Sequence, residues 1–306
     1  MSNTHKTGYA CALLATLIWS GNFIIARGLG DQISPFTLAA LRWGTATLIL
    51  LPFAGKALWN ERATLKKHLP HLLISALIGV TTFNTLIYIA AHTTNTLNLS
   101  LIATATPAFV VLLSRVLLGE AITVNKLIGL LAAVFGIVTL VTRGNYQVLL
   151  DLSFHQGDIW MLLAALLWAM YSIHLKRRPD TISQKAYLGF TFLAGVLPLI
   201  PAAIGEQMVN SSFPLSLTAM GAVLYIGIGA SLISYILWAK AMKTIGPTRA
   251  SFVYYSLPAF CGIEAYLILN EPITWAHAVG FVLILGGILI ATHPRFAPAK
   301  ASVHNS

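Results

Sequence analysis

The chain has 306 residues, 57% hydrophobic and only 9% charged, with 19 Lys/Arg against 9 Asp/Glu and a net charge of +10. Soluble domains carry about 25% charged residues, so this composition excludes a water-soluble fold. Ten membrane helices of about 20 residues each use most of the length, which leaves no room for a nucleotide-hydrolysing module, a DNA-binding head or a large ectodomain.

Apolar runs bounded by polar, Pro or Gly residues are expected to cross the membrane near 8–27, 35–54, 70–91, 98–118, 126–143, 157–175, 186–204, 216–238, 248–269 and 275–293. The first run follows Lys6 as a signal peptide would. It is longer than a signal h-region and has a counterpart later in the chain, so it is expected to be retained. Cys11 and Cys261 lie in apolar runs and are expected to pack as small hydrophobes, with no disulfide or metal site. Pro294 to Ser306 is polar and is expected to be a disordered tail.

With the N-terminus inside, the inward segments hold 16 basic residues: Lys6, Lys56, Arg62, Lys66, Lys67, Arg115, Lys126, Lys176, Arg177, Arg178, Lys185, Lys240, Lys243, Arg249, Arg295 and Lys300. Outward segments hold only Arg27 and Arg143, and Arg42 falls within the second span. The positive-inside rule therefore places both termini in the cytoplasm of a multi-pass membrane protein, with a bacterial inner membrane as the expected home. The lipid bilayer is thus a partner, and nucleic acid is not.

The chain repeats itself. At an offset of 149 residues Gly8 falls on Gly157, Trp19 on Trp168, Ser34 on Ser183 and Pro52 on Pro201. At 151 residues Pro107-Ala108-Phe109 falls on Pro258-Ala259-Phe260, Glu120 on Glu271, Gly129 on Gly280 and Gly136 on Gly287. The expected units are 1–145 and 146–293, followed by the tail 294–306. Five spans per unit force the second copy to enter from the opposite side, which gives an all-α integral membrane fold of two inverted five-helix repeats. In such architectures the substrate site lies at the repeat interface near mid-membrane.

These residues carry a family resemblance: Trp19-Ser20-Gly21-Asn22-Phe23, Ser34-Pro35-Phe36 with Leu41-Arg42, Pro107-Ala108-Phe109, Gly119-Glu120 with Thr123, and Gly129 with Gly136. The sequence resembles the EamA-type members of the drug/metabolite transporter superfamily over nearly its whole length. Within that superfamily it looks most like the YddG-type exporters of aromatic amino acids. The resemblance implies a ten-helix exporter of small metabolites working by alternating access, with no ATPase subunit and no cofactor. The second repeat departs from the first at Arg42, which aligns with Thr191.

Trp and Tyr usually sit at membrane interfaces, yet Trp19 and Trp168 lie deep in their spans. Asn22 and Phe23 follow the first at helical i+3 and i+4 spacing, and Tyr171 and Ser172 follow the second. Span three adds Asn84 and Tyr88, span eight Tyr235 and Trp238, and span nine Tyr254 and Tyr255. Each ring alone could simply fill space between helices. Together their N–H and O–H groups need partners that lipid cannot supply, which a partly hydrated aromatic cavity would provide. Such a lining suits a zwitterionic or neutral aromatic metabolite, held by ring stacking and cation–π contact.

Arg42 either attracts a substrate carboxylate or braces a backbone carbonyl. Glu264 is a possible proton site or a rim residue within reach of water. Glu120 and Glu271 are expected to fix helix ends. Pro107 and Pro258 are paired kinks, serving as hinges or as packed bends. Gly129, Gly136, Gly280 and Gly287 are expected to allow close helix packing.

A membrane enzyme is the rival reading. It would need clustered acids, histidines or a metal set, whereas the acids are scattered and His68, His71, His92 and His174 are dispersed near span ends. No HExxH, GxSxG or phosphate-loop motif occurs. No catalytic residue and no metal ligand is therefore assigned, and the chain is expected not to be an enzyme. A selectivity-filter sequence is also missing, which disfavours a channel.

Overall fold

The structure, a computed structural model, describes residues 3–29, 33–93, 102–103, 105–142, 144–151, 155–209, 216–269 and 275–292. Among these residues the fold is all-α. The helices are α1 (Asn3–Leu29), α2 (Pro35–Asn60), α3 (Arg62–Lys67), α4 (Leu69–Thr93), α5 (Ala105–Leu118), α6 (Val124–Val141) and α7 (Gln147–Leu150). The second half holds α8 (Gln156–Lys176), α9 (Gln184–Val209), α10 (Leu217–Thr244), α11 (Gly246–Tyr254), α12 (Leu257–Leu269) and α13 (Trp275–Thr292). Over the described residues the ten expected spans are helical apart from turns at Leu197-Pro198 in the seventh and Tyr255-Ser256 in the ninth, and α2, α4, α8, α9 and α10 are long and apolar enough to cross a membrane. The tail 294–306, Arg143 and Glu271 lie outside the described residues.

The ninth span, expected to run unbroken, is two helices separated by a turn at Tyr255-Ser256. Pro258 follows at the second position of α12. It has no N–H to give to the carbonyl four residues earlier, so the break falls where the helical ladder is already cut. Pro107 is buried near the start of α5, and residue 104, where a matching break would fall, is outside the described residues.

Helix contacts come in matched pairs. α1 packs on the second half of α10 as α8 packs on the second half of α4; α1 packs on α11 and α12 as α8 packs on α5. α2 lies against α9 and α6 against α13, each crossing its own repeat mate. The glycines fix the sense of the last crossing. A Cβ on Gly129 would lie 2.5 Å from the Gly287 carbonyl oxygen, and one on Gly136 would lie 2.8 Å from that of Gly280. Gly129 therefore meets the counterpart of Gly136, and Gly136 the counterpart of Gly129. Only an antiparallel crossing about a two-fold axis pairs them this way, as inverted repeats require. The small-residue stripe brings the two backbones together as expected.

The acids read as scattered hold helix ends. Glu206, late in α9, accepts from the backbone N–H of Phe36 (3.3 Å) and Thr37 (2.8 Å) at the start of α2. At the other end of the same helix pair, Glu61 accepts from the Ser183 N–H (2.8 Å) that precedes α9. Each carboxylate satisfies donors at a helix N-terminus and complements its positive pole. Gly119, with φ of 68°, ends α5 in the left-handed region, and the Glu120 N–H turns back to the Ser114 carbonyl. The Glu120 carboxylate then accepts from Thr248 Oγ1 (2.7 Å) at the start of α11 and from Lys126 Nζ (3.3 Å). The Gly119-Glu120 pair thus ends one span and ties it to the next repeat.

Candidate functional site

Seven spans deliver rings to one place in the middle of the bundle. Trp19 of α1 and Trp168 of α8 meet edge to face with centroids 5.2 Å apart. Trp238 of α10 lies 5.1 Å from Trp19 and 5.8 Å from Trp168. Tyr235 is 5.6 Å from Trp168, Tyr254 of α11 is 6.0 Å from Trp19, and Tyr171 is 5.3 Å from Trp168. Edge-to-face and tilted pairs at these separations are favourable beyond their buried area. Phe83, which the spacing argument passed over, stacks on Trp168 at 4.6 Å, and Trp43 and Phe192 flank Tyr235.

The rings pack on each other. Trp19, Trp168, Tyr235 and Trp238 expose only 6%, 2%, 1% and 1% of their surface. Part of the polar demand that argued for water is met by backbone carbonyls: Trp19 Nε1 donates to Ala230 O (2.8 Å) and Tyr235 Oη to Gly79 O (2.7 Å).

Those two carbonyls come from irregular helix. Leu77–Thr82 in α4 and Tyr225–Ile233 in α10 are π-helical, and Gly79 and Ala230 lie one in each of these segments. Widening a helix by one residue leaves a carbonyl available to partners from other helices, and π turns recur at functional sites. Both halves therefore present one such carbonyl to a side chain of the opposite half.

Arg42 is 2% exposed and lies beside this cluster. Its Nε donates to Ser231 Oγ (2.6 Å), Nη1 to Asn22 Oδ1 (3.3 Å) and Tyr88 Oη (3.0 Å), and Nη2 to Ala230 O (3.2 Å). Its Cζ is 5.5 Å from the Trp43 ring centre. Asn84 Nδ2 reaches Tyr235 Oη at 3.5 Å, the outer limit of a hydrogen bond. Bracing of a backbone carbonyl is thus observed.

Two expected site residues stand apart. Tyr255 packs with Phe252 among Val111, Ala133, Ile137 and Ile284, in a separate core against α6 and α13. Consecutive residues of a helix point in different directions, so its side chain does not share the face of Tyr254. Ser172 is buried with no partner for its hydroxyl. The Phe23 side chain lies outside the described residues. Glu264 accepts from Ser20 Oγ (2.8 Å) through one carboxylate oxygen, while its other oxygen is buried without a partner. The histidines are less dispersed than the sequence implied: His71 stacks on His174 at 3.8 Å, with His174 Nε2 3.0 Å from the His71 carbonyl. Among the described residues no group of three or more His, Cys, Asp or Glu could hold a metal.

An all-helical, inverted-repeat bundle with a buried polar-aromatic centre is the architecture of a secondary transporter. The EamA-like transporter family matches residues 6–142 and again 155–292. The chain belongs to that family, and it is a membrane transporter. It is similar to the uncharacterized transporter YyaM of Bacillus subtilis (23% identity over 288 residues, 94% of each chain). It is also similar to an uncharacterized transporter of Archaeoglobus fulgidus (28% over 281 residues, 91% of this chain and 95% of that one). Protein PecM of Dickeya dadantii is 23% identical over 91% of this chain and 90% of its own. A solved crystal structure superposes with a TM-score of 0.74 over 94% of this chain and 96% of that one, at 20% identity, which speaks to the fold.

Proposed function

We propose that the protein exports small aromatic metabolites, aromatic amino acids foremost, by alternating access, with the ring cluster as the cargo site. The observation that carries this reading is the cluster itself. Rings from both repeats converge on Trp19 and Trp168, and the indole N–H groups of Trp238 and Trp43 are buried there with no partner. Buried donors without acceptors are costly, and a cargo carrying carbonyl or carboxylate oxygens supplies what they lack. In the closed arrangement the rings stack on one another. In an open state a flat cargo takes the place of one of those ring neighbours, exchanging like contact for like, so that binding stays weak enough for release.

Both termini face the cytoplasm in this reading, with the basic loops inside. The tie of Glu120 to Thr248 and the His71–His174 stack then close the inner end of the bundle, and the paired irregular segments of α4 and α10 with the break before Pro258 are the bending points. The experiment is a substrate screen in proteoliposomes, with and without a pH gradient. Aromatic amino acids and related indoles should move faster than aliphatic amino acids and sugars. Equal or faster movement of aliphatic cargo would overturn the proposal.

A further inference from the structure

We propose that Arg42 is the carboxylate anchor of the transport site, which makes the cargo an aromatic carboxylate, zwitterionic or anionic, and excludes purely cationic aromatic compounds. The inference rests on the reading of the ring cluster as the cargo site and adds to it the charge that the cargo must carry.

Arg42 is a fully buried cation, and among the described residues no carboxylate lies within ion-pair distance of it. All four acceptors on its guanidinium are neutral: a serine hydroxyl, an asparagine amide, a tyrosine hydroxyl and a backbone carbonyl. Neutral ligands offset part of the cost of burying the charge, but they do not neutralise it. Bracing one carbonyl would be served as well by Asn or Gln, which carry no such cost. The retained charge calls for a ligand of opposite sign.

The geometry shows where that ligand lands. Nε and Nη2 are committed to Ser231 and Ala230, both on α10, and Ser231 Oγ is itself fixed by donating to Ile226 O (2.9 Å). These bonds anchor one edge of the guanidinium. Nη1 faces Asn22 on α1 and Tyr88 on α4, neither of them on the α10 that holds the other edge. Nη2 carries a second N–H beside those of Nη1, so the Nη1–Nη2 edge is the one left for exchange, and its paired N–H groups match the two oxygens of a carboxylate. The ring of the same cargo reaches the aromatic cluster because Trp19 and Arg42 share the Ala230 carbonyl.

The second half has no equivalent. At the matched position Thr191 bonds only to its own helix, through Tyr187 O (2.9 Å) and Leu188 O (3.2 Å). One cation on one side of the two-fold axis gives the cargo a single orientation, with its carboxylate toward α2.

The test uses the purified full-length protein with four probes: tryptophan, indole-3-propionate, tryptamine and tryptophanamide. Binding is read by ligand-induced thermal shift and by competition for transport in proteoliposomes. In the unaltered protein the two carboxylates should bind about ten-fold or more tighter than tryptamine and tryptophanamide, the size expected for a charge-assisted pair. Arg42→Gln should remove that preference, and Arg42→Lys should keep part of it. A folded Arg42→Gln that still favours carboxylates overturns the proposal. If Arg42→Gln does not fold, the probe series on the unaltered protein decides, and equal binding of tryptamine and tryptophan overturns it. Propionate bound as tightly as indole-3-propionate, and lost in Arg42→Gln, would support the anchor while removing the aromatic reading.

Discussion

Trp19 and Trp168 stand at the same position of the two repeats and meet edge to face at 5.2 Å. Inverted duplication alone places them near a common axis. Each brings its own neighbour to the meeting, Phe83 stacked on one and the Ala230 carbonyl bonded to the other.

Removing either ring should impair transport beyond what any loss of fold explains. Trp168→Ala and Trp19→Ala should each lower the transport rate of tryptophan by about ten-fold or more, as loss of a central aromatic anchor does. A large-to-small change in a packed core costs about 3–5 kcal/mol, so Trp168→Phe and Trp19→Phe accompany them as milder variants. Rates are compared only among variants that elute as monodisperse protein. Normal rates in well-folded alanine variants would remove the aromatic site.

The crossing of α6 and α13 yields a test between neighbouring residues. A Cβ on Gly287 would sit 2.6 Å from the Gly129 carbonyl oxygen and 2.9 Å from the Ala133 nitrogen, whereas one on Gly286 meets nothing within 4 Å. Backbone atoms cannot step aside, so Gly287→Ala should destabilise by about 1–3 kcal/mol. Gly286→Ala should be neutral or slightly stabilising, since Ala is the better helix former. Thermal melts of the purified variants check the contrast.

Glu206 and Glu61 clamp opposite ends of the α2–α9 pair. Glu206→Ala strips the acceptor from the Phe36 and Thr37 N–H groups, and Glu61→Ala strips it from Ser183. Each should cost about 1 kcal/mol, the usual worth of a helix cap, with additive effects because the sites are at opposite ends. A double variant no less stable than either single one would contradict independent clamps.

The orientation has its own check. Reporters fused at the C-terminus should be active when they require the cytoplasm and silent when they require the outside. The opposite pattern would invert the topology and with it the direction assigned to transport.

Spans, repeats and the packing glycines were legible because each leaves a periodic or positional mark: a run long enough to cross, an identity at constant offset, or small residues at four-residue spacing. Trp19, Trp168, Tyr235, Trp238 and Tyr254 were legible for a related reason, as rings at a depth where rings seldom sit. Tyr255 was misplaced because it was grouped with Tyr254 by adjacency, whereas consecutive residues of a helix point to different faces. The π-helical segments left no mark at all. Leu77–Thr82 and Tyr225–Ile233 are apolar and glycine-containing like the helix around them, and one extra residue per turn changes the bonding without changing the composition. Glu61, Glu206 and the His71–His174 stack join residues more than 100 positions apart, which span-by-span reading cannot connect.

The most direct measurement is counterflow of labelled tryptophan in proteoliposomes holding the purified chain and preloaded with unlabelled tryptophan. A carrier with an aromatic site should accumulate label transiently, and Trp168→Ala should abolish the overshoot. No overshoot in the unaltered protein, or one that preloaded leucine supports equally well, would contradict the account.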